Sequence, residues 1–221
     1  MEHNYAQERP TRPTLNPRHI AQTALAMIDA DGLDAFSMRK LGAALEVDPM
    51  AVYYYFPSKA ALFDAIVEAI YTQIDTSVAV PDAWDAAIAT YIRAMRAAMR
   101  AHPHALVLIA TRPVNTAPVL VLVEVLVARL ASAGANPTDA LAMVNCFGTY
   151  TIGHLLADVG APVGGPEGPA PDAANLDTSA IPTLVAAFEA GWVFDADAQF
   201  DLGLRAMIAG FGAQFRLTDP R

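Results

Sequence analysis

Val47-Asp48-Pro49-Met50-Ala51-Val52-Tyr53-Tyr54-Tyr55-Phe56-Pro57-Ser58-Lys59 is the stretch on which the reading of this chain turns. Successive side chains on a helix point about 100° apart, so three consecutive tyrosines cannot all enter one core. At least one ring faces outward, beside a lysine, which is unusual for a surface that only meets water. Upstream, Leu45-Glu46-Val47 makes a tight break after a short amphipathic segment, the spacing of a helix-turn-helix. A duplex-reading surface is the leading explanation of the stretch.

Outward from it, the punctuation is regular. Asn16-Pro17 opens a first helix as N-cap and proline, Ile20, Ala24, Met27 and Ile28 recur on one face, and Gly32 closes it. Ser37 caps a second helix with Met38, Leu41 and Leu45 as its apolar positions. Asp48-Pro49 opens a third and Pro57 stops it, because proline disfavours helical geometry at Phe56. A fourth starts at Ser58, with Leu62, Ile66, Ala69 and Ile70 on one face. Residues 1–16 read as an arm, with Pro10 and Pro13 among them.

Beyond Pro81 the pattern predicts helices near 83–101, 104–111, 115–133, 137–158, 180–190 and 196–217, with a Pro- and Gly-rich loop from Gly160 to Asn175. Val119 to Val123 has strand propensity, but no partner strand is in sight and a buried helix is the better reading. The fold class is therefore all-α, about ten helices in two parts: residues 17–60 as a three-helix reading head and 61–221 as a larger helical domain.

Composition bounds the function. With 54% hydrophobic and 17% charged residues in 221, there is ample core and material for a subunit interface. The Val119 to Val123 run ends at Glu124, too short to span a bilayer, and no apolar segment follows the early charges, so neither a membrane nor a secretion signal is expected. The single cysteine, Cys146, excludes an internal disulfide, fits a cytoplasmic protein, and reads as a packed core thiol. A net charge of −9 opposes nucleic-acid binding until its distribution is examined. Residues 1–60 hold six Arg/Lys against seven Asp/Glu, and the remainder eight against sixteen. Both lysines, Lys40 and Lys59, lie in the first part. The acidic surplus belongs to a region away from DNA.

The N-terminal residues resemble the tetracycline-repressor-like (TetR) family of bacterial transcriptional regulators. The likeness runs from Ala24-Leu25-Ala26-Met27-Ile28 through Gly32-Leu33-Asp34-Ala35-Phe36-Ser37-Met38-Arg39-Lys40-Leu41 to Val52-Tyr53-Tyr54-Tyr55-Phe56 and Lys59-Ala60-Ala61-Leu62. It covers about fifty residues; Tyr55 stands where the family commonly has histidine. The resemblance makes Lys59 a phosphate contact at a helix N-terminus. Arg39 is the guanidinium placed to reach a guanine edge. Pro49, Met50 and Ala51, with Met38 beside Arg39, approach the bases. Tyr54 is expected to lie against a thymine methyl, and Tyr53 and Tyr55 to donate to the DNA backbone, although one of the latter two is equally a core residue. Lys40 is as well read as a solvated charge.

Ile109-Ala110-Thr111-Arg112-Pro113 and Tyr150-Thr151-Ile152-Gly153 resemble the ligand-binding domain of the tetracycline-repressor subgroup. Aligned there, Leu108 replaces the metal-linked histidine. Asp75, Tyr91, Met95 and Glu124 replace His, Asn, Phe and Gln, and Ala157 replaces an acidic residue. The resemblance thus implies the fold but not a magnesium–tetracycline ligand. The expected cavity walls are Met95, Met99, Leu108, Val121, Val125 and Val144, with Tyr91, Thr111, Arg112, Glu124, Asn145 and Thr149 as polar anchors for a small hydrophobic effector. Plain packing competes for the methionines and valines, and a helix C-terminus for Arg112.

No catalytic residue, metal ligand or cofactor is expected; His102 and His104 flank Pro103 in helix-end or surface roles. The partners expected are double-stranded DNA with a palindromic operator, the effector, and a second copy of the chain, since one such reading head makes too few base contacts. The resemblance implies that the last two long helices, near 137–158 and 196–217, pair across a four-helix interface, where Gly203, Gly210 and Gly212 would permit close approach beside Met207, Phe211 and Phe215. An architectural DNA binder without effector, or an enzyme keeping the N-terminal helices as structure, are the rival readings.

Overall fold

Short polar side chains and prolines start most of the helices. Asn16 accepts from the His19 N–H at 2.9 Å, Ser37 from Lys40 at 3.2 Å, Asp48 from Met50 at 2.8 Å and Ser58 from Ala61 at 3.1 Å. Each satisfies a donor that the first helical turn leaves unpaired. The helices they open are α1 (Pro17–Asp31), α2 (Met38–Ala44), α3 (Pro49–Tyr55) and α4 (Lys59–Tyr71). The protein is a computed structural model in which residues 15–74, 81–112, 116–160 and 178–219 are described. The expected arm, apart from its last two residues, and nearly all of the Gly160–Asn175 loop lie outside them, as do Asp75 and Pro113.

Downstream come α5 (Trp84–Arg100), a single 3-10 turn (Pro103–Ala105), α6 (Leu106–Thr111), α7 (Ala117–Ser132), α8 (Pro137–Val159), a second turn (Thr178–Ala180), α9 (Pro182–Glu189) and α10 (Ala196–Phe215). Among the described residues the fold is all-α, and Val119 to Val123 is helical. The helix expected from residue 104 starts later because Pro103 opens the turn before it. α8 is long and apolar enough to cross a membrane by length and composition, but it packs against α5, α6, α7 and α10.

α1 lies along α4, and one apolar core runs from Ile20, Leu41, Val52 and Leu62 through Ile70 and Ile92 to Phe147 and Phe200. The boundary expected at residue 60 therefore falls inside α4, whose length serves both parts. Two histidines reinforce this joint. The His102 ring bonds Asp29 of α1 through Nδ1 (2.8 Å) and Gln73 through Nε2 (3.1 Å). His104 Nδ1 lies 3.0 Å from the Asp29 carbonyl, at the C-terminal end of α1. They fasten the α5–α6 junction to the reading head.

Candidate nucleic-acid interface and ligand cavity

The turn between α2 and α3 is held by its own backbone. Val47 N–H donates to the Gly42 carbonyl at 2.9 Å and Glu46 to Ala43 at 3.1 Å, while Glu46 takes φ 55°. A Cβ on Gly42 would lie 3.1 Å from the Pro49 nitrogen and 3.1 Å from the Val47 carbonyl oxygen. That close approach packs the start of α3 against α2, with Val52 and Phe56 inward.

Met50 is 71% exposed and Tyr54 85%, with Tyr53 at 37%, so these three form the outer face of α3. Pro49 and Ala51 are half-buried at its start. Tyr55 is the tyrosine that packs: it is half-buried against the core, and its hydroxyl donates to the Leu15 carbonyl at 3.1 Å. The expectation that Tyr55 donates to DNA is corrected on that ground, since its single proton is already used. Met38 is corrected too. It shares the inward face of α2 with Leu41, three residues on, and both are buried.

That same phase leaves Arg39 and Lys40 outside. Lys40 Nζ donates to the Ala35 carbonyl at 2.9 Å. Arg39 is exposed and makes no hydrogen bond or ion pair to the described residues. The Lys59 ammonium, at the first position of α4, stands 5.1 Å from the Phe63 ring centre and 5.5 Å from that of Phe36. Their π faces hold the cation near the start of α4.

The cavity, about 300 Å³ and partly open, is lined by residues of α4, α5, α6, α7 and α8 and by Arg112. Of the expected lining, Tyr91, Met95, Arg112, Val144, Asn145 and Thr149 are in its wall. Met99 and Leu108 are not; both are buried in the core behind it. Thr111 is exposed, its hydroxyl donating to the Val107 carbonyl at 2.6 Å. Val121, Glu124 and Val125 face outward, and α7 presents Val119, Leu122, Val123 and Leu126 instead. α7 is apolar almost all round, so its sequence does not reveal which face turns inward.

Tyr71, Ile92, Ile109, Gly148 and Ile152 complete the wall. Tyr71, the last residue of α4, sits one step from the apolar face read in the sequence. Burial pushes the Tyr71 phenol up to about 12; burial and the neighbouring Tyr71 do the same for Tyr91. Both are neutral donors at physiological pH. Arg112, at the C-terminal end of α6, gives its Nε–H to Asp64 of α4 at 2.5 Å, rather than holding a helix end. This ion pair raises the Arg112 pKa further.

The remaining site expectations also change. Cys146 is exposed on α8, not packed. Gly203 is used within the chain: a Cβ there would sit 2.1 Å from the Tyr150 hydroxyl, which donates to the Phe200 carbonyl at 3.0 Å. Gly212 faces Trp84 in the same way, at 3.1 Å, and Phe211 packs edge-on against Phe147 with ring centres 5.4 Å apart. Gly210 alone of the three glycines lies in the open. Among the residues that α8 and α10 leave outside are stripes of small and apolar side chains: Ala142, Cys146 and Gly153 on one, Leu202, Ala206, Ala209 and Ala213 on the other.

Similarity to known proteins agrees with both parts. The profile described as bacterial regulatory proteins of the tetR family matches residues 20–66, and that of the tetracyclin repressor-like C-terminal domain matches residues 79–215. The class A tetracycline repressor protein of transposon 1721, from Escherichia coli, is 30% identical over 201 residues, covering 89% of this chain and 90% of that protein. An HTH-type transcriptional regulator of Saccharopolyspora erythraea is 29% identical over 148 residues, 67% of this chain, which spans 63% of that regulator's length. The crystal structure of the Streptomyces coelicolor TetR family protein ActR, in complex with (S)-DNPA, superposes with a TM-score of 0.76 at 25% identity, over 91% of this chain and 98% of that one. With one profile on the reading head and another across most of the remaining chain, this protein belongs to the tetracycline-repressor family of bacterial transcriptional regulators.

Proposed function

We propose that this protein is a ligand-responsive repressor: residues 17–60 read a palindromic operator, residues 61–221 bind a small hydrophobic effector and pair two copies, and the effector releases the DNA. It acts in the cytoplasm, where its operator is. One observation carries the reading. α4 begins with Lys59 beside the reading helix and ends with Tyr71 in the cavity wall, so a change in the cavity moves the element that holds the reading head. The DNA contacts are Arg39, Pro49, Met50, Ala51, Tyr53, Tyr54 and Lys59. The effector contacts are Tyr91, Met95, Arg112, Val144, Asn145 and Thr149, with Tyr71 added. The ActR complex with (S)-DNPA supports a small-molecule effector by relationship. The effector must bind the released state more tightly, since equal affinity for both states shifts nothing.

The test starts from random duplexes, selected on the full-length protein. A twofold-symmetric sequence, released by one or more hydrophobic drug- or metabolite-sized molecules but not by tetracycline with Mg²⁺, is the expected result. Gly148 lines the cavity and an added Cβ there meets nothing within 4 Å, so Gly148→Leu fills the cavity and keeps operator binding while abolishing release. Sequence-independent binding alone would make it an architectural protein, and steady consumption of a ligand would make it an enzyme.

A further inference from the structure

The cavity holds a charge arrangement that restricts what it accepts. Among the described residues its wall contains one cation, Arg112, and no carboxylate. The carboxylate nearest in role is Asp64, which faces Arg112 from α4 and takes its Nε–H. Among the described residues, Asp64 is the only group bonded to that guanidinium. Arg112 is left with its two terminal nitrogens, a planar fork suited to a pair of oxygens. Tyr71 and Tyr91 add two neutral phenols, donors toward oxygen acceptors, while Ile92, Ile109 and Leu126 supply apolar walls. Asp64 and Tyr71 are seven residues apart, on one face of α4.

From this we infer that the effector is an apolar monoanion with its charge on oxygen, which binds the free edge of the Arg112 guanidinium and shares it with Asp64. The inference rests on the cavity being the effector site, as proposed above. It adds the ligand's charge and the means by which α4 responds. A second anion on Arg112 weakens the hold of Asp64, because two carboxylates on one guanidinium repel each other. α4 is thereby freed at the middle of its length, while the ligand takes up donors at its end. By linkage, anything that loosens Asp64 from Arg112 strengthens anion binding.

The test uses matched pairs that differ only in charge: 2-naphthoate, anthraquinone-2-carboxylate and decanoate, each beside its carboxamide. Binding to the full-length protein is measured by calorimetry at pH 7.5. The expected result is a preference of about tenfold or more for the anion in at least one pair. Arg112→Gln erases that preference. Asp64→Asn tightens the anion several-fold and leaves the carboxamide as it was. Gly148→Leu abolishes binding of both, which places the probe in the cavity. Equal affinity for anion and amide overturns the inference and leaves the effector cavity standing. So does a preference that survives Arg112→Gln, or anion affinity unchanged in Asp64→Asn. Failure of all six probes to bind, or binding that persists in Gly148→Leu, overturns the inference together with the effector cavity for this class of molecule. Melting curves of each variant separate loss of binding from loss of fold.

Discussion

Arg39 and Lys59 are both cations on the exposed exterior of the reading head, yet their surroundings assign them different tasks. Arg39 is exposed, unpaired among the described residues, and one step past the buried Met38, so its fork is placed to meet a base edge. Lys59 is positioned by two aromatic faces at a helix start, the place for a phosphate. On the selected operator, Arg39→Ala is expected to relax preference at one base pair per half-site at a cost of about 1–3 kcal/mol. Lys59→Ala is expected to weaken binding evenly across sequences and lower the salt slope by about one. Titrations on single-base variants at several salt concentrations separate the two; uniform loss in both would make Arg39 a backbone contact. The charges and their chain positions were legible because cations are few. The fate of Tyr55 was not, since only its meeting with Leu15, forty residues away, decides it.

The elements divide according to where their terminal donors are satisfied. α1, α2, α3, α4, α8 and α10 carry their own caps in Asn16, Ser37, Asp48, Ser58, Asn136 and Asp195. Their starts could be read residue by residue. α5 has no local side-chain cap; Asp219, near the other end of the chain, accepts from Trp84 N–H at 2.9 Å. No window of sequence around residue 84 contains that information. The α2–α3 corner depends on a contact that is legible only in part, because Gly42 looks like an ordinary helical glycine. Gly42→Ala pushes a methyl against backbone atoms that cannot swing aside, so it is expected to cost about 1–3 kcal/mol. It should also tilt α3 and lower operator affinity. Denaturant melts and operator titrations check it. A variant of unchanged stability would mean that α3 shifts freely.

At the scale of the whole molecule, α8 and α10 together expose an apolar and small-residue surface that a single chain leaves bare. It is the surface on which two copies are proposed to meet. Phe211, attractive in the sequence as an interface anchor, already packs on Phe147, so a charge there would damage the fold itself. Ala209 is the cleaner probe: it is exposed on α10, and glutamate suits a helix. Ala209→Glu is expected to leave the melting of the isolated chain near wild type, dissociate the dimer, and abolish operator binding at the same concentration. Sedimentation and titration in parallel test this, and a variant that stays dimeric moves the interface elsewhere.

By itself the sequence determined the all-α class, the order and approximate spans of the helices, the reading helix with its outward tyrosine, and six of the fifteen described residues of the cavity wall, Tyr91, Met95, Arg112, Val144, Asn145 and Thr149. These follow from signals a few residues long: caps, prolines, apolar periods and a familiar motif. Tertiary structure alone decided the inward face of α7, the pairing of Arg112 with Asp64, the enclosure of Gly203 by Tyr150 and of Gly212 by Trp84, and the exposure of Cys146. The reason is the same in each case. A helix apolar on every side carries no phase of its own, and a side chain reaching across the core takes its partner from whatever the packing brings opposite, which local sequence does not encode.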